Sequence, residues 1–374
     1  MADFDAIVIG SGMSGGWVAK ELAERGLSTL VLERGPNIDP ATDYADMIPP
    51  WETAYLDMIP EEERKRDYPI QAEVYAVFEK TKHFWVKDSE HPYEVPADRP
   101  YNWFRGYHLG GRSIMWARQS YRWCPQDFEA NKIDGHGVDW PIRYPDLAPW
   151  YDHVERFAGI SGTEEGLAQL PDSQFLPPFA MNCAEVAIKQ RIEAAFPTRR
   201  MIIGRVAHLT KPTEQHLALG RGQCQVRNHC HTGCSFGAYF SSISATLPAA
   251  RATGRTTIVT DAIVRSLEYD AATNRVSGVR VIDRNTKQAR TYSGRIVFLC
   301  ASTIPTAMIL LESKSAKFPN GLANSSDQVG RNLMDHVNGA NVSGIVPGFL
   351  DRYYKGRRPN GIYIPRYANF TEIE

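Results

Sequence analysis

Apolar residues first gather in a short run, Asp5 to Ile9, whose Ile and Val content fits a strand buried on both faces of a parallel sheet. A glycine turn follows. Val18, Ala19, Leu22 and Ala23 then recur at the spacing of one helix face, and Gly26 stands where that helix should stop. Ser28 to Leu32 predicts a second strand, closed by Glu33. Much later the period becomes two. Thr256 to Tyr269, Arg275 to Asp283 and Lys287 to Tyr292 alternate β-branched and polar residues across the turn-formers Asp270 to Asn274 and Arg284 to Thr286, which predicts an antiparallel meander. Arg295 to Ala301 reads as one more buried strand, leading through Ser302-Thr303-Ile304-Pro305 into a short helix. Asn182 with Glu185 makes a capping-box start to a helix over Ala184 to Phe196. The mixed-charge run at 61–67, EEERKRD, reads as a solvated helix or loop face.

The first turn carries candidate chemistry. Gly10-Ser11-Gly12-Met13-Ser14-Gly15 spells G-x-G-x-x-G between a predicted strand and a predicted helix, and Glu33 stands 23 residues after Gly10. The first glycine permits the tight turn, the second lets the backbone approach a pyrophosphate, and the third allows close helix-to-strand packing. The helix amino terminus offers unpaired N–H groups to phosphate. Glu33, at the tip of the second strand, is placed to accept hydrogen bonds from ribose hydroxyls. Strand, turn, helix, strand and acid in register predict dinucleotide binding. The motif alone leaves NAD and FAD open. Arg34 beside Glu33 fits a surface or adenine-stacking residue as well as a partner for a 2′-phosphate.

Composition removes other classes of function. The 374 residues suggest two domains, or one with a large insertion. Lys and Arg number 42 against 43 Asp and Glu, a formal net charge of −1, so no global field draws in nucleic acid or an anionic membrane. Hydrophobic residues make up 43% and charged residues 23%, and no apolar run approaches the ~18 residues of a membrane span, which predicts a soluble folded protein. The opening MADFDAIVIGSG shows no secretory signal, which predicts a cytoplasmic chain. Among six cysteines, Cys124, Cys183 and Cys300 are isolated and read as buried thiols. Cys224, Cys230 and Cys234 crowd into one loop as C-x5-C-x3-C. Three thiolates in one loop can share a metal centre, and His229 and His231 add a zinc-compatible alternative; three free thiols remain a third reading.

From Tyr101 the chain reads YNWFRGYHLGGRSIMWARQSYRW, in which Gly110-Gly111 would let backbone pass close to a planar ligand or phosphate. The opening motif with Leu32-Glu33-Arg34-Gly35, then Gly110-Gly111-Arg112-Ser113, Asp139-Trp140-Pro141-Ile142 and Gly330-Arg331-Asn332-Leu333-Met334-Asp335-His336, taken in order, resemble the glucose-methanol-choline oxidoreductase family. The resemblance runs from about Asp3 to His336 and is strongest to bacterial sugar dehydrogenases and pyranose oxidases. It implies FAD, held by Gly10, Ser11, Gly12, Ser14, Gly15, Glu33 and Arg34 at the first turn. It also implies Gly110, Gly111 and Ser113 along the flavin and pyrophosphate, the Val264 backbone at the adenine, and Asp335 and His336 beside the cofactor. Met115-Trp116 takes the place of a His-Trp pair whose histidine bonds the flavin covalently in pyranose oxidases, so the FAD here is expected to be noncovalent, with Trp116 near the isoalloxazine. Asp146 to Arg156 resembles the family helix after Trp140-Pro141. At Ser302 to Pro305 the family's glycine-rich turn is replaced, and no cofactor contact is assigned there.

The fold implied is mixed α/β: a Rossmann-like FAD-binding domain with an antiparallel meander, over 1–158 and 200–335, plus a partial substrate domain over 159–199 and 336–374. For the cysteine loop the resemblance implies a three-iron, four-sulfur (3Fe-4S) cluster on Cys224, Cys230 and Cys234. The reaction implied is oxidation of a sugar or glycoside CH–OH, with hydride passing to flavin N5 and electrons leaving through the cluster to cytochrome c or quinone. An oxygen-reducing oxidase and a catalytically silent flavin-binding fragment are the alternatives. The family's catalytic base is a paired histidine near the carboxy terminus. None is recognisable after Asp335-His336, so the catalytic residues stay unassigned and the chain is expected to be truncated. A signal-bearing small subunit could carry it to the periplasm.

Overall fold

The structure is a computed structural model that describes residues 2–335, 340–352 and 359–368. In chain order its strands are β1 (Phe4–Ile9), β2 (Thr29–Leu32), β3 (Ile202–Ile203), β4 (Thr256–Val259), β5 (Ala262–Asp270), β6 (Arg275–Asp283), β7 (Ala289–Leu299) and β8 (Ile362–Tyr363). Six of them form one sheet in the order β4-β2-β1-β7-β6-β5, and β3 pairs with β8 apart from it. The continuous apolar runs of β1 and β2 lie at the middle of the sheet, paired in parallel with each other, with β7 and with β4. Ile7, Ile9, Leu30 and Leu32 pack on one face with Val264, Val279, Val281 and Ile309. Val8 and Val31 pack on the other against Ala19 and Ala23 of helix α1 (Met13–Glu24). The mixed α/β class and the flavin-domain architecture expected from sequence are therefore observed.

Two strand boundaries differ from the sequence reading. Thr256 to Tyr269 is not one meander strand: Thr256–Val259 joins the parallel side beside β2, the strand is interrupted at Asp261 with φ of 55°, and the meander starts at Ala262. Conversely, Lys287 to Tyr292 and Arg295 to Ala301 fuse into β7. Its first half pairs antiparallel with β6 and its second half parallel with β1. Ser293-Gly294 reads as a break, yet a Cβ at Gly294 would lie 2.7 Å from Ile7 Cγ1, so glycine there permits close packing. The capping box forms as expected: Asn182 Oδ1 accepts from Glu185 N at 2.9 Å, opening a helix at Cys183–Ala195. Cys183, its first residue, is exposed rather than buried.

By its contacts the chain divides into two units, 1–116 with 231–235 and 241–338, and 117–230 with 236–240 and 339–374. The sequence reading drew its first boundary at 158. The chain leaves the first unit at Trp116 because 117–122 is tied into the second: Gln119 bridges Val206, and Arg122 donates to the carboxylates of Asp152 and Glu155. No helix among the described residues is long and apolar enough to cross a membrane.

Candidate functional site

The glycine turn sits at the carboxy end of β1, where Gly10 N donates to Leu32 O at 2.8 Å and Cys300 N donates to Ile9 O at 2.8 Å. Its glycines are required for different reasons. Gly10 has φ of 98°, and a Cβ there would meet Cys300 O at 2.4 Å; at Gly15 a Cβ would meet Gly10 O at 1.8 Å. Those two serve packing of the protein on itself. Gly12, the cap of α1, has φ of −68°, and its nearest non-neighbouring atom to a Cβ is Gly110 O at 3.9 Å. Among the described residues nothing demands glycine there. The open face of the turn, with no acid in the first helical turn and no side-chain cap, fits a phosphate-bearing ligand approaching the backbone.

A second wall meets the turn within the same unit. Gly110, with φ of 81°, donates its N–H to Ser11 Oγ at 2.9 Å, and a Cβ at Gly111 would lie 3.3 Å from Gly12 Cα. Ser113 Oγ donates to Gly110 O at 2.6 Å and accepts from Ser242 N at 2.9 Å. Ser242 Oγ in turn donates to Gly12 O at 2.8 Å. The sequence reading missed Ser242. Its partners stand 129 and 230 residues away in sequence, and no local pattern announces such a bond. The segment Ser242–Thr246 is a π-helical turn, and a Cβ at Gly16 would come within 2.3 Å of Thr246 Oγ1.

Glu33 is buried at the tip of β2. One carboxylate oxygen accepts from Ser11 N at 3.1 Å and from Ser11 Oγ, and the other from Gly35 N at 3.0 Å. Burial pushes its pKa above the usual carboxylate range, opposed by the Ser11 and Gly35 hydrogen bonds. Arg34 lays its guanidinium 3.6 Å from the centre of the Tyr107 ring. It lines a cavity of about 170 Å³ together with His91, Tyr107, Ile263 and Arg284. Val264 is buried in the sheet core, next in sequence to Ile263 of that cavity. Met115 is half-buried against the cluster of Phe84, Trp85 and Ile114, and Trp116 is half-buried. Ser14 lies in the first turn of α1, Asp335 is exposed, and His336 lies outside the described residues.

The cysteine loop is distributed over both units, Cys224 and Cys230 in the second and Cys234 in the first. Among the described residues none of the three forms a disulfide. Cys224 N donates to Leu209 O at 2.8 Å, and Cys230 Sγ lies 3.6 Å from Nε2 of the buried His208, a neighbour that the sequence reading did not name. Among the described residues, no group of three or more His, Cys, Asp or Glu side chains is placed to hold a metal ion.

A strand-to-helix glycine turn, a buried acid at the next strand tip and a returning Gly-Gly wall together match one known arrangement, and a sequence model described as GMC oxidoreductase matches residues 4–338. The chain belongs to the GMC oxidoreductase family. This family typically binds FAD. Among curated relatives, the large subunit of fructose dehydrogenase from Gluconobacter japonicus is 28% identical over 89% of this chain and 58% of its own length. Paromamine 6′-oxidase from Streptomyces fradiae is 27% identical over 96% of this chain and 62% of its own length. This family member thus spans about six-tenths of the length of those relatives. A solved structure, pyridoxine 4-oxidase from Mesorbium loti, aligns over 83% of this chain and 51% of its own at 19% identity, with a TM-score of 0.47.

Proposed function

We propose that the chain is the flavin-binding part of an FAD-dependent oxidoreductase acting on CH–OH groups of a sugar or glycoside. The observation that carries this reading is Gly12, a glycine that the protein's own packing does not require, set between the α1 amino terminus and the Gly110-Gly111 wall. FAD, when bound, supplies a hydride acceptor for the alcohol carbon. The residues of this chain hold and orient it: the turn Gly10 to Gly15 receives the pyrophosphate, Glu33 faces the ribose, and Val264 offers backbone to the adenine. Ser242 and Ser113 fix the wall against the turn, so the two surfaces keep their spacing before the ligand arrives. Met115 carries a thioether with no N–H or S–H to lose in forming a neutral bond to a flavin, which supports noncovalent binding. The sugar class is supported by the similarity to the fructose dehydrogenase subunit.

Electron exit through a 3Fe-4S cluster on Cys224, Cys230 and Cys234 is the finer part of the proposal and rests on the C-x5-C-x3-C spacing. Its support is donor type and spacing alone, since among the described residues no side chains are gathered to hold a metal ion. A small subunit and a cytochrome c or quinone acceptor would follow, in keeping with a relative that is itself named a large subunit. A second reading, dioxygen as the acceptor, is favoured by the similarity to paromamine 6′-oxidase. Anaerobic purification followed by iron, sulfide and flavin analysis separates the two. Flavin with about three irons supports the electron-transfer version. Flavin without iron, reduced by sugar and rapidly reoxidised by air, supports the oxidase.

A further inference from the structure

The cavity that Arg34 lines is walled mostly by rings. Tyr68, Phe84, Trp85 and Tyr107 form it with Val86 and Ile263, all within the first unit. Tyr68 and Trp85 are only 2% and 5% exposed, and Phe84 is fully buried. At about 170 Å³ the space is close to the ~150 Å³ of a void that takes benzene and well below the ~300 Å³ or more of a drug-sized pocket. One ring with a small substituent fills it.

The lining also carries polar groups that the fold leaves unanswered. The Tyr68 hydroxyl, the His91 ring and the Arg34 guanidinium make no hydrogen bond among the described residues. A buried hydroxyl without a partner is costly, so Tyr68 calls for one. His91 meets the Tyr107 ring edge-on, with centroids 5.4 Å apart. Burial, with Arg34 and Arg105 nearby, holds its pKa below the usual value, so the imidazole is neutral near pH 7 and keeps one N–H to offer. His83, the other histidine of the lining, is turned to Asp43 O at 2.8 Å.

Charge in the lining balances except at one point. Lys87 pairs with Glu90 at 3.4 Å and Arg284 with Asp261 at 3.2 Å. Arg105, its guanidinium 6.0 Å from the centre of the Tyr107 ring, pairs with Asp88 at 3.2 Å. Arg34 has no carboxylate at pairing distance among the described residues. It rests on Tyr107 at 3.6 Å, and the oxygens of neighbouring Glu33 are turned to Ser11 and Gly35. FAD does not answer this charge either. Its negative charge lies on the pyrophosphate, for which the turn at Gly10 to Gly15 is proposed, and neither that turn nor Glu33 lines the cavity. Ile263 brings the cavity next to the Val264 backbone proposed for the adenine, so the two sites are neighbours.

We propose that the cavity is a second ligand site, built for a single-ring aromatic carboxylate. Arg34 is its counter-ion, Tyr68 and His91 supply hydrogen bonds, and the aromatic walls enclose the ring. One uncompensated cation matches a monoanion, whereas inorganic phosphate has no ring for the walls. Separateness from the cofactor rests on the FAD reading above; the chemistry of the cavity does not.

The probe is benzoate, titrated calorimetrically into the full chain with and without FAD. Expected is a single site in both states, with benzyl alcohol and inorganic phosphate each binding roughly tenfold or more weakly. Arg34→Gln should weaken benzoate binding roughly tenfold or more. Tyr68→Phe, which removes only the hydroxyl, should weaken it roughly three- to tenfold while keeping wild-type FAD content and folding. Failure of benzoate to bind, equal binding of benzyl alcohol, preference for phosphate, or wild-type affinity in either variant overturns the proposal. So does displacement of benzoate by FAD, which would make the cavity part of the adenosine site. A chain that binds benzoate but no FAD upholds the cavity and refutes the cofactor assignment; one that binds FAD but no benzoate does the reverse.

Discussion

The division of labour among the turn glycines yields a paired prediction. In Gly15→Ala the new methyl would lie 1.8 Å from Gly10 O, where ordinary contact begins near 3.4 Å. Neither side can yield cheaply, because Gly10 is itself pressed on Cys300 O, 2.4 Å from its own Cβ position. Overpacking a core costs about 1–3 kcal/mol when side chains can adjust, and here backbone must move, so the loss should reach about 3 kcal/mol or more. For a unit of roughly 200 residues that is a fall of about 6–12 °C in melting temperature. In Gly12→Ala the methyl has 3.9 Å of clearance, so the apo protein should lose only about 1 kcal/mol, the difference between Gly and Ala at a helix cap. Its FAD affinity should nevertheless fall roughly tenfold or more, because the methyl occupies the path of the pyrophosphate. The assay is thermal unfolding of apo protein beside calorimetric titration with FAD. If Gly12→Ala binds FAD as wild type does, or Gly15→Ala melts with it, the assignment of the two glycines is wrong.

Three further outcomes follow from single contacts. Ser302 has φ of 73° and ψ of 170°, a region that belongs to glycine, and its side chain caps nothing; Ser302→Gly should raise the melting temperature by about 2–4 °C, a net gain of about 1 kcal/mol after the entropy of the freer unfolded chain, and a lower midpoint would contradict the strain. Ser11→Ala removes the hydroxyl that accepts from Gly110 N and donates to Glu33, so it should cost about 1–3 kcal/mol for the buried groups left unpaired, checked by denaturant titration. His108 is buried, and that burial pushes its pKa down to about 4. The unfolded chain therefore takes up a proton below about pH 6.5 that the folded chain refuses, and stability falls between about pH 6.5 and 4 by roughly 3 kcal/mol. Glu33, shifted upward, acts in the opposite direction as pH falls, so the effect is read as a difference: His108→Gln should lose less stability than wild type across that window.

What the sequence announces and what it hides divide by distance along the chain. The unit from β1 through the glycine turn and α1 to Glu33 is legible because strand, turn, helix, strand and acid follow one another within about 30 residues, although the pressure of Cys300 on Gly10 is a distant contact that no local pattern announces. The break at Asp261 is not legible, since Thr256 to Tyr269 reads as one β-prone run and only the change of pairing partner, from β2 to β6, marks the break. Gly294 misleads for the opposite reason: a glycine selected for contact with Ile7 looks like a glycine selected for a turn. The Ser242 brace and the His208 neighbour of Cys230 are tertiary facts without a motif. The cavity at Arg34 is invisible too, because Tyr68, His91, Tyr107 and Arg284 reach it from separate stretches of chain.

The central claim is that the turn at Gly10 to Gly15 and the wall at Gly110 to Ser113 hold FAD without a covalent bond. The most direct measurement is to heat-precipitate the purified chain and analyse both fractions for flavin. The account predicts FAD in the supernatant, stoichiometric with the chain and lost in Gly12→Ala protein. Flavin retained in the pellet would contradict the noncovalent assignment, and wild-type protein that neither carries flavin nor binds added FAD would contradict the site itself.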